Sequence, residues 1–169
     1  MNKKKVLITG GSGFIGSHLS KTLLELGADL TLLVKYRSVI ENVRLTRIWD
    51  DIEILECDLR NLDSLKQLTN RSFDLVFHLA AYNHVGDSFI HVNEALMSNA
   101  VGTANLVESV HNYGRLVYVS TSECYGFQTQ PQFEENMLPF PISPYAIGKY
   151  TGELYCRMKR HSEGSPILC

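Results

Sequence analysis

The chain has 169 residues, 44% of them hydrophobic and 20% charged, with a formal net charge of −2. That is one domain of ordinary globular composition, long enough to bury a full core. The near-neutral balance gives no electrostatic case for nucleic acid or an anionic membrane as a partner. No apolar run reaches the length of a membrane span, and no signal peptide precedes the first strand pattern. The four cysteines, Cys57, Cys124, Cys156 and Cys169, form no CxxC pair, so a reduced, cytoplasmic protein is expected. His84 and His91 lack a companion cluster, and no metal site is expected.

The first element carries the strongest signal. Val6-Leu7-Ile8 reads as a short buried strand. Glycines follow at positions 10, 11, 13 and 16, and Phe14, Ile15, Leu19, Leu23 and Leu24 then repeat at helical spacing. Strand, glycine turn and helix in this order form a dinucleotide-binding pattern. One glycine allows the tight turn, another lets the backbone approach a pyrophosphate, and the last lets helix and strand pack closely. The helix N-terminus then offers N–H groups to the phosphates.

Leu30 to Val34 is the second strand. An acid often follows at this place and binds the ribose 2′-hydroxyl. Here Lys35, Tyr36 and Arg37 follow instead. Two cations there suit a 2′-phosphate, so NADP is expected over NAD; the bland alternative is that both face solvent. Val39 to Trp49 reads as partly helical. Ile52 to Cys57 is strand three, closed by Asp58-Leu59. Phe73 to Ala81 is strand four, running into small residues that let a ligand cross the strand end. Glu94 to Tyr113 is a helix ended by Gly114, and Arg115 to Ser120 is strand five. A long loop holding Pro139, Pro141 and Pro144 follows from Phe127 to Pro144, and a loop of that length is usually functional. A helix then opens at Ser143 and runs to about His161, and Pro166 to Cys169 is strand six. Strict alternation of strand and helix predicts a Rossmann-type, doubly wound parallel α/β sheet of order 3-2-1-4-5-6.

Tyr145 and Lys149 are four apart and share a helix face. An ammonium beside a phenol lowers the phenol's pKa and makes a base able to take a hydroxyl proton. By itself the pair is a chance pattern on an amphipathic helix. It lies, however, downstream of Thr121 at the end of strand five, and with Thr9-Gly10-x-x-Gly13-x-x-Gly16 and Asn99-x-x-Gly102-Thr103 the chain resembles the extended short-chain dehydrogenase/reductase superfamily. Its closest branch is the NAD-dependent epimerases and dehydratases of nucleotide-sugars. The resemblance covers nearly the whole chain. It implies cofactor contacts from Gly10, Gly13, Phe14, Ile15, Gly16, Lys35, Arg37, Asp58, Leu59, Leu79, Ala80, Ala81, Asn99, Tyr145 and Lys149. It implies catalysis by Thr121, Tyr145 and Lys149.

Glu123 separates the branches. Thr121-Ser122-Glu123 and the Val85-Gly86-x-Ser88-Phe89 segment are similar to nucleotide-sugar 4,6-dehydratases such as the GDP-mannose enzymes. In those, a carboxylate removes the C5 proton after C4 oxidation; a solvated loop carboxylate is the plainer reading. Some dehydratases carry Asp-Glu here, and Ser122 replaces that Asp. A decarboxylase, a 4-epimerase, or a non-catalytic cofactor-binding sensor are the alternatives. The resemblance also implies a homodimer through helices 94–113 and 143–161, with Gly102 and Ala104 allowing close approach. It makes residues 1–169 the cofactor-binding domain, with a carboxyl-terminal nucleotide-sugar-binding region outside this chain.

Overall fold

The structure, a computed structural model, describes residues 3–37, 40–130 and 132–169. Six parallel strands form one sheet: β1 (Lys5–Thr9), β2 (Asp29–Val34), β3 (Glu53–Glu56), β4 (Ser72–His78), β5 (Asn112–Tyr118) and β6 (Ile167–Leu168). Their spatial order is β3-β2-β1-β4-β5-β6, the doubly wound order expected.

β1 shows why the sheet is covered on both faces. Val6, Leu7 and Ile8 are all fully buried, so alternate side chains enter opposite layers. Val6 and Ile8 join Leu23, Leu30, Leu32, Leu45 and Ile54 on one side. Leu7 joins Leu65, Leu68, Phe73, Val76, Leu106 and Leu116 on the other. The first layer holds α1 (Phe14–Glu25) and a 3₁₀ segment, Val43–Asp51. That segment accounts for the expected helical stretch, apart from Val39, which lies outside the described residues. The second layer holds α2 (Leu62–Leu65), the short α3 (Val85–Ser88), α4 (Val92–Leu96), α5 (Gly102–Ser109) and α6 (Pro144–Glu163). A π-helical turn, Met97–Val101, joins α4 to α5.

α6 is defined by its ends. The Ser143 hydroxyl accepts from the Ala146 N–H at 3.1 Å, Pro144 takes the first turn, Arg160 and His161 sit in the last turn, and Gly164 closes the helix in a left-handed conformation.

The expected helix 94–113 is corrected at its far end. Helix geometry stops at Ser109, and Asn112 and Tyr113 already pair with Ser72 and Phe73 in the sheet. Val107 and Val110 suit either structure, and the long-range ladder decides the boundary. Gly114 is therefore a strand residue and not a helix stop. A Cβ there would lie 2.7 Å from the Asp74 carbonyl oxygen, so the site accepts no side chain. β4 ends at His78, leaving Leu79–Ala81 as the loop beyond the strand end. β6 is shorter than expected because Pro166 has no N–H to donate, although its carbonyl accepts from Leu116. Among the described residues no helix is long and apolar enough to cross a membrane.

Gly16 binds the first turn of α1 to the turn before it: a Cβ there would fall 2.2 Å from the Gly10 carbonyl oxygen. Gly16→Ala should lower the unfolding free energy by about 2 kcal/mol, the scale of overpacking. Urea denaturation tests this against Gly86→Ala, where an added Cβ meets nothing within 4 Å and little change is expected.

Candidate functional site

A cleft of about 560 Å³ opens at the carboxyl ends of β1, β2, β3 and β4. This is where an open parallel sheet places its ligands, at the point where strand order reverses. Its floor is Thr9, Gly10, Ser12 and Gly13, and its walls include Lys35, Asp58, Leu59, Leu79, Ala80 and Ala81.

The floor is bare backbone. Gly10 has φ +71°, a conformation that favours glycine, and a Cβ on it would come within 2.7 Å of the Ala80 nitrogen. Gly13 precedes α1 with no side-chain cap, and no acid occupies the first turn of the helix. The open N–H groups of that turn therefore remain electropositive. Phe14 and Ile15 are exposed, 70% and 63%, and lie outside the cleft lining, so their side chains point away while their backbone sits in this turn.

Beneath the floor runs a buried polar chain that sequence reasoning missed. The Ala80 N–H donates to Thr9 Oγ1 at 3.1 Å, and Thr9 Oγ1 lies 2.7 Å from His78 Nδ1. His78 Nε2 lies 2.9 Å from Thr103 Oγ1, and the Thr103 hydroxyl donates to the Asn99 carbonyl at 2.6 Å. Thr103 has committed its hydrogen, so it accepts from Nε2–H, and Thr9 donates to Nδ1. His78 is thus a neutral Nε2–H tautomer. Burial, with the Lys149 charge nearby, pushes its pKa down to about 3. Asn99 itself spends its amide on the backbone of Tyr82, accepting from the N–H at 2.7 Å and donating to the C=O at 3.0 Å. It acts on the cleft through that loop.

The β2 end of the cleft is charged. Asp58 is gripped by Arg60, whose Nε lies 2.9 and 3.1 Å from the two carboxylate oxygens and whose terminal nitrogen lies 2.5 Å from Oδ2. These bonds hold the Asp58 carboxyl below the usual carboxylate range. Lys35 lines the cleft, while Arg37 is exposed outside its lining. The helix α2 that follows Asp58 is capped by Asn61, whose side chain accepts from the Asp63 N–H.

The second half of the site lies where β5 meets α6. Tyr145 sits in the first turn of α6, half-buried, and Lys149 one turn later is 3% exposed. The Lys149 ammonium donates to the Val119 carbonyl at 2.6 Å and stands 4.3 Å from the centre of the Tyr118 ring. Burial pushes its pKa down to about 8. Thr121 accepts from the Glu123 N–H at 3.2 Å, which folds Ser122–Cys124 into a 3₁₀ turn and leaves the Thr121 hydroxyl hydrogen to donate. Tyr118 and Glu153 were not singled out from the sequence. The Tyr118 hydroxyl donates to the Lys149 carbonyl at 2.7 Å. The buried Glu153 carboxylate accepts from Ser120 and pairs with Arg157 at 2.5 Å. Lys149 and Glu153 are four apart on one face, the spacing that could have marked Glu153.

A family model matches residues 6–169: the NAD dependent epimerase/dehydratase family. The chain belongs to that family. Its relatives include a human dTDP-D-glucose 4,6-dehydratase, 31% identical over 172 residues that cover 98% of this chain and 49% of that protein. A pea bifunctional UDP-glucose 4-epimerase and UDP-xylose 4-epimerase is 33% identical over 158 residues, 88% of this chain and 45% of that protein. The solved UDP-glucuronic acid 4-epimerase from Bacillus cereus, in complex with UDP-glucuronic acid and NAD, superposes with a TM-score of 0.86 at 28% identity, covering 97% of this chain and 55% of that one. The chain thus spans about half the length of the relatives it matches.

The cleft fits the dinucleotide that the NAD dependent epimerase/dehydratase family is named for. A pyrophosphate needs close backbone approach and unpaired N–H groups, and the floor has Gly10, which admits no Cβ, and Gly13, where one would be tight, beside an uncapped helix start.

Lys149 also leaves a signature in stability. Its folded pKa of about 8 lies below the ordinary 10.5, so between those values the unfolded chain binds more protons. Stability attributable to Lys149 therefore rises with pH across that window and is lowest below pH 8. The unfolding free energy of the protein, relative to Lys149→Met, should climb from about pH 8 to about pH 10.5; a flat difference would refute a depressed ammonium.

Proposed function

We propose that the protein modifies a nucleotide-sugar by transient oxidation at C4, with 4,6-dehydration as the reaction. The observation that carries this reading is the placement of Tyr145 one turn before the buried Lys149 on α6, with Lys149 bonded to Val119 beyond β5, next to the Thr121–Glu123 turn and at the carboxyl edge of the sheet where the dinucleotide cleft opens. When bound, the nicotinamide cofactor supplies hydride acceptance from C4 and its return to C6.

The chain's own residues handle the protons. Tyr145 takes the proton of the C4 hydroxyl, and the Lys149 ammonium stabilises the resulting phenolate. Thr121, its hydroxyl hydrogen available, donates to the reacting oxygen. The C4 ketone acidifies the neighbouring C5–H, Glu123 removes that proton, and the C6 hydroxyl departs as water on taking the proton back from the Glu123 carboxyl. Ser122 offers no carboxylate, so no second acid is assigned to the departing water. Similarity to the pea 4-epimerase supports a second reading, in which the C4 ketone is reduced again without elimination.

The cofactor we propose is NADP. Lys35 lines the cleft after β2 with Arg60 as the second cation in the lining, Arg37 lies outside it, and no acid stands at Lys35, Tyr36 or Arg37. A cytoplasmic setting suits the four free cysteines. A homodimer suits the outer face shared by α6 and the 97–109 segment. There Val101, Ala104, Leu154, Tyr155 and Met158 line a shallow apolar depression. Ala104 belongs to that depression. Gly102 does not: it is buried, and a Cβ on it would meet Leu59 at 3.1 Å.

Product analysis, mutant kinetics and light scattering test these readings. Incubation of the full-length enzyme with a panel of nucleotide-sugars and mass analysis of products should show loss of water; loss of carbon dioxide or unchanged mass would assign decarboxylase or epimerase. Tyr145→Phe should slow cofactor reduction by about 100-fold or more, the scale of lost general-base catalysis. Glu123→Gln should still reduce the cofactor yet stall before water loss, without solvent deuterium entering C5. Light scattering should report a dimer that Leu154→Glu converts to monomer; a monomeric parent would end the dimer proposal.

A further inference from the structure

The two cations at the β2 end of the cleft, Lys35 and Arg60, share one counter-ion besides the Asp58 that Arg60 holds. Glu94, on α4, brings its Oε1 within 3.7 Å of the Lys35 ammonium and 3.3 Å of an Arg60 terminal nitrogen. Glu94 lines the same cleft as Lys35, Asp58 and Arg60. In this fold the residue following β2 meets the adenosine ribose, where a carboxylate accepts from a 2′-hydroxyl and cations favour a 2′-phosphate. The acid absent after β2 is therefore supplied across the cleft, from another element. Asp58 also lowers the potential here, but its oxygens are held by Arg60, whereas Glu94 is the carboxylate within 4 Å of both cations.

We propose that Glu94 sets the selectivity of the cleft between 2′-phosphorylated and unphosphorylated dinucleotide. It neutralises Lys35 and Arg60 and repels a phosphate arriving between them, while remaining an acceptor for a 2′-hydroxyl. The cations favour NADP and Glu94 holds that preference down, so the parent protein discriminates weakly. The groups are partly exposed, 45% at Lys35 and 41% at Glu94, so solvent screens the effect to a several-fold one. The inference rests on a nicotinamide dinucleotide occupying this cleft.

Isothermal titration of the full chain with NADP and with NAD, at low and high salt, tests it. Glu94→Gln should raise the ratio of NADP to NAD affinity roughly threefold to tenfold at low salt, and the gain should shrink at high salt. Asp63→Asn, which removes an exposed carboxylate paired with Lys66, should leave the ratio unchanged. Lys35→Gln should lower the ratio, and in its background Glu94→Gln should gain less. An unchanged ratio in Glu94→Gln, or an equal gain for both cofactors, would overturn the role of Glu94 even if the parent prefers NADP. A parent that binds both cofactors equally while Glu94→Gln shifts toward NADP would end the NADP reading and keep the role of Glu94. Should Glu94→Gln fail to fold, Lys35→Gln and Arg60→Gln decide together, because an unchanged ratio in both leaves Glu94 no charge to mask.

Discussion

The chain of hydrogen bonds through His78 is the interaction on which both halves of the site depend. It begins at the Ala80 N–H in the cleft wall, passes through Thr9 on β1 and His78 on β4, and ends at Thr103 on α5 and the carbonyl of Asn99. The links among Thr9, His78, Thr103 and Asn99 are buried, so each of those bonds left unmade would cost its full desolvation penalty. The chain therefore holds the ends of two central strands in one register with the helical layer. Asn99 extends it to the loop at Tyr82. Gly152 on α6 closes the other side, since a Cβ there would meet the Asn99 carbonyl at 2.8 Å and Thr103 Oγ1 at 3.0 Å. Cleft floor and α6 are thus keyed to the same few atoms.

That arrangement explains how Lys149 stays buried. A desolvated ammonium is costly, and here it has a carbonyl acceptor on Val119 and the face of Tyr118. Burial pushes the Tyr118 phenol up, so it stays protonated and goes on donating to the Lys149 carbonyl. Glu153 lies one turn beyond Lys149 and returns negative charge to the same region while tethering Ser120. The lysine's lowered pKa is the residue of this balance, with desolvation larger than the attraction of its neighbours. The same burial that costs stability removes solvent screening between the ammonium and any anion formed beside it.

Local signals made much of this legible in the sequence. The strand–glycine–helix turn, the Ser143-Pro144 start and Gly164 stop of α6, and the strand order all follow from short-range chemistry or from strict alternation. What was not legible arises between residues far apart. Asn112 and Tyr113 look like a helix end until Ser72 and Phe73 are available as partners. Gly102 reads as a residue for close approach, and so it is, but toward Leu59 of its own chain and not toward a second copy. Asp58 is a recognisable acid by position, yet its Arg60 grip follows from a bend in the backbone. His78 was read as one more strand residue because its partners, Thr9 and Thr103, lie 69 and 25 positions away.

The same distinction bears on the charged end of the cleft. Read along the chain, Lys35 and Arg37 are two cations with no acid beside them. In space Lys35 meets Glu94, which lies on the far side of β4 in sequence, and Arg37 leaves the cleft altogether. A charge pattern along a strand end fixes which groups are near one another in sequence, whereas selectivity depends on the field summed over all groups facing the ligand. Lys35, Arg60, Asp58 and Glu94 meet at this end, with Asp87 also in the cleft lining, and Asp58 is held by Arg60. Glu94 is held on α4, whose position follows from the π turn that also presents Asn99 to the Tyr82 loop. The element that orders the cleft wall is therefore continuous with the one that delivers its counter-ion, and a shift of either would change both the shape and the charge that a dinucleotide meets.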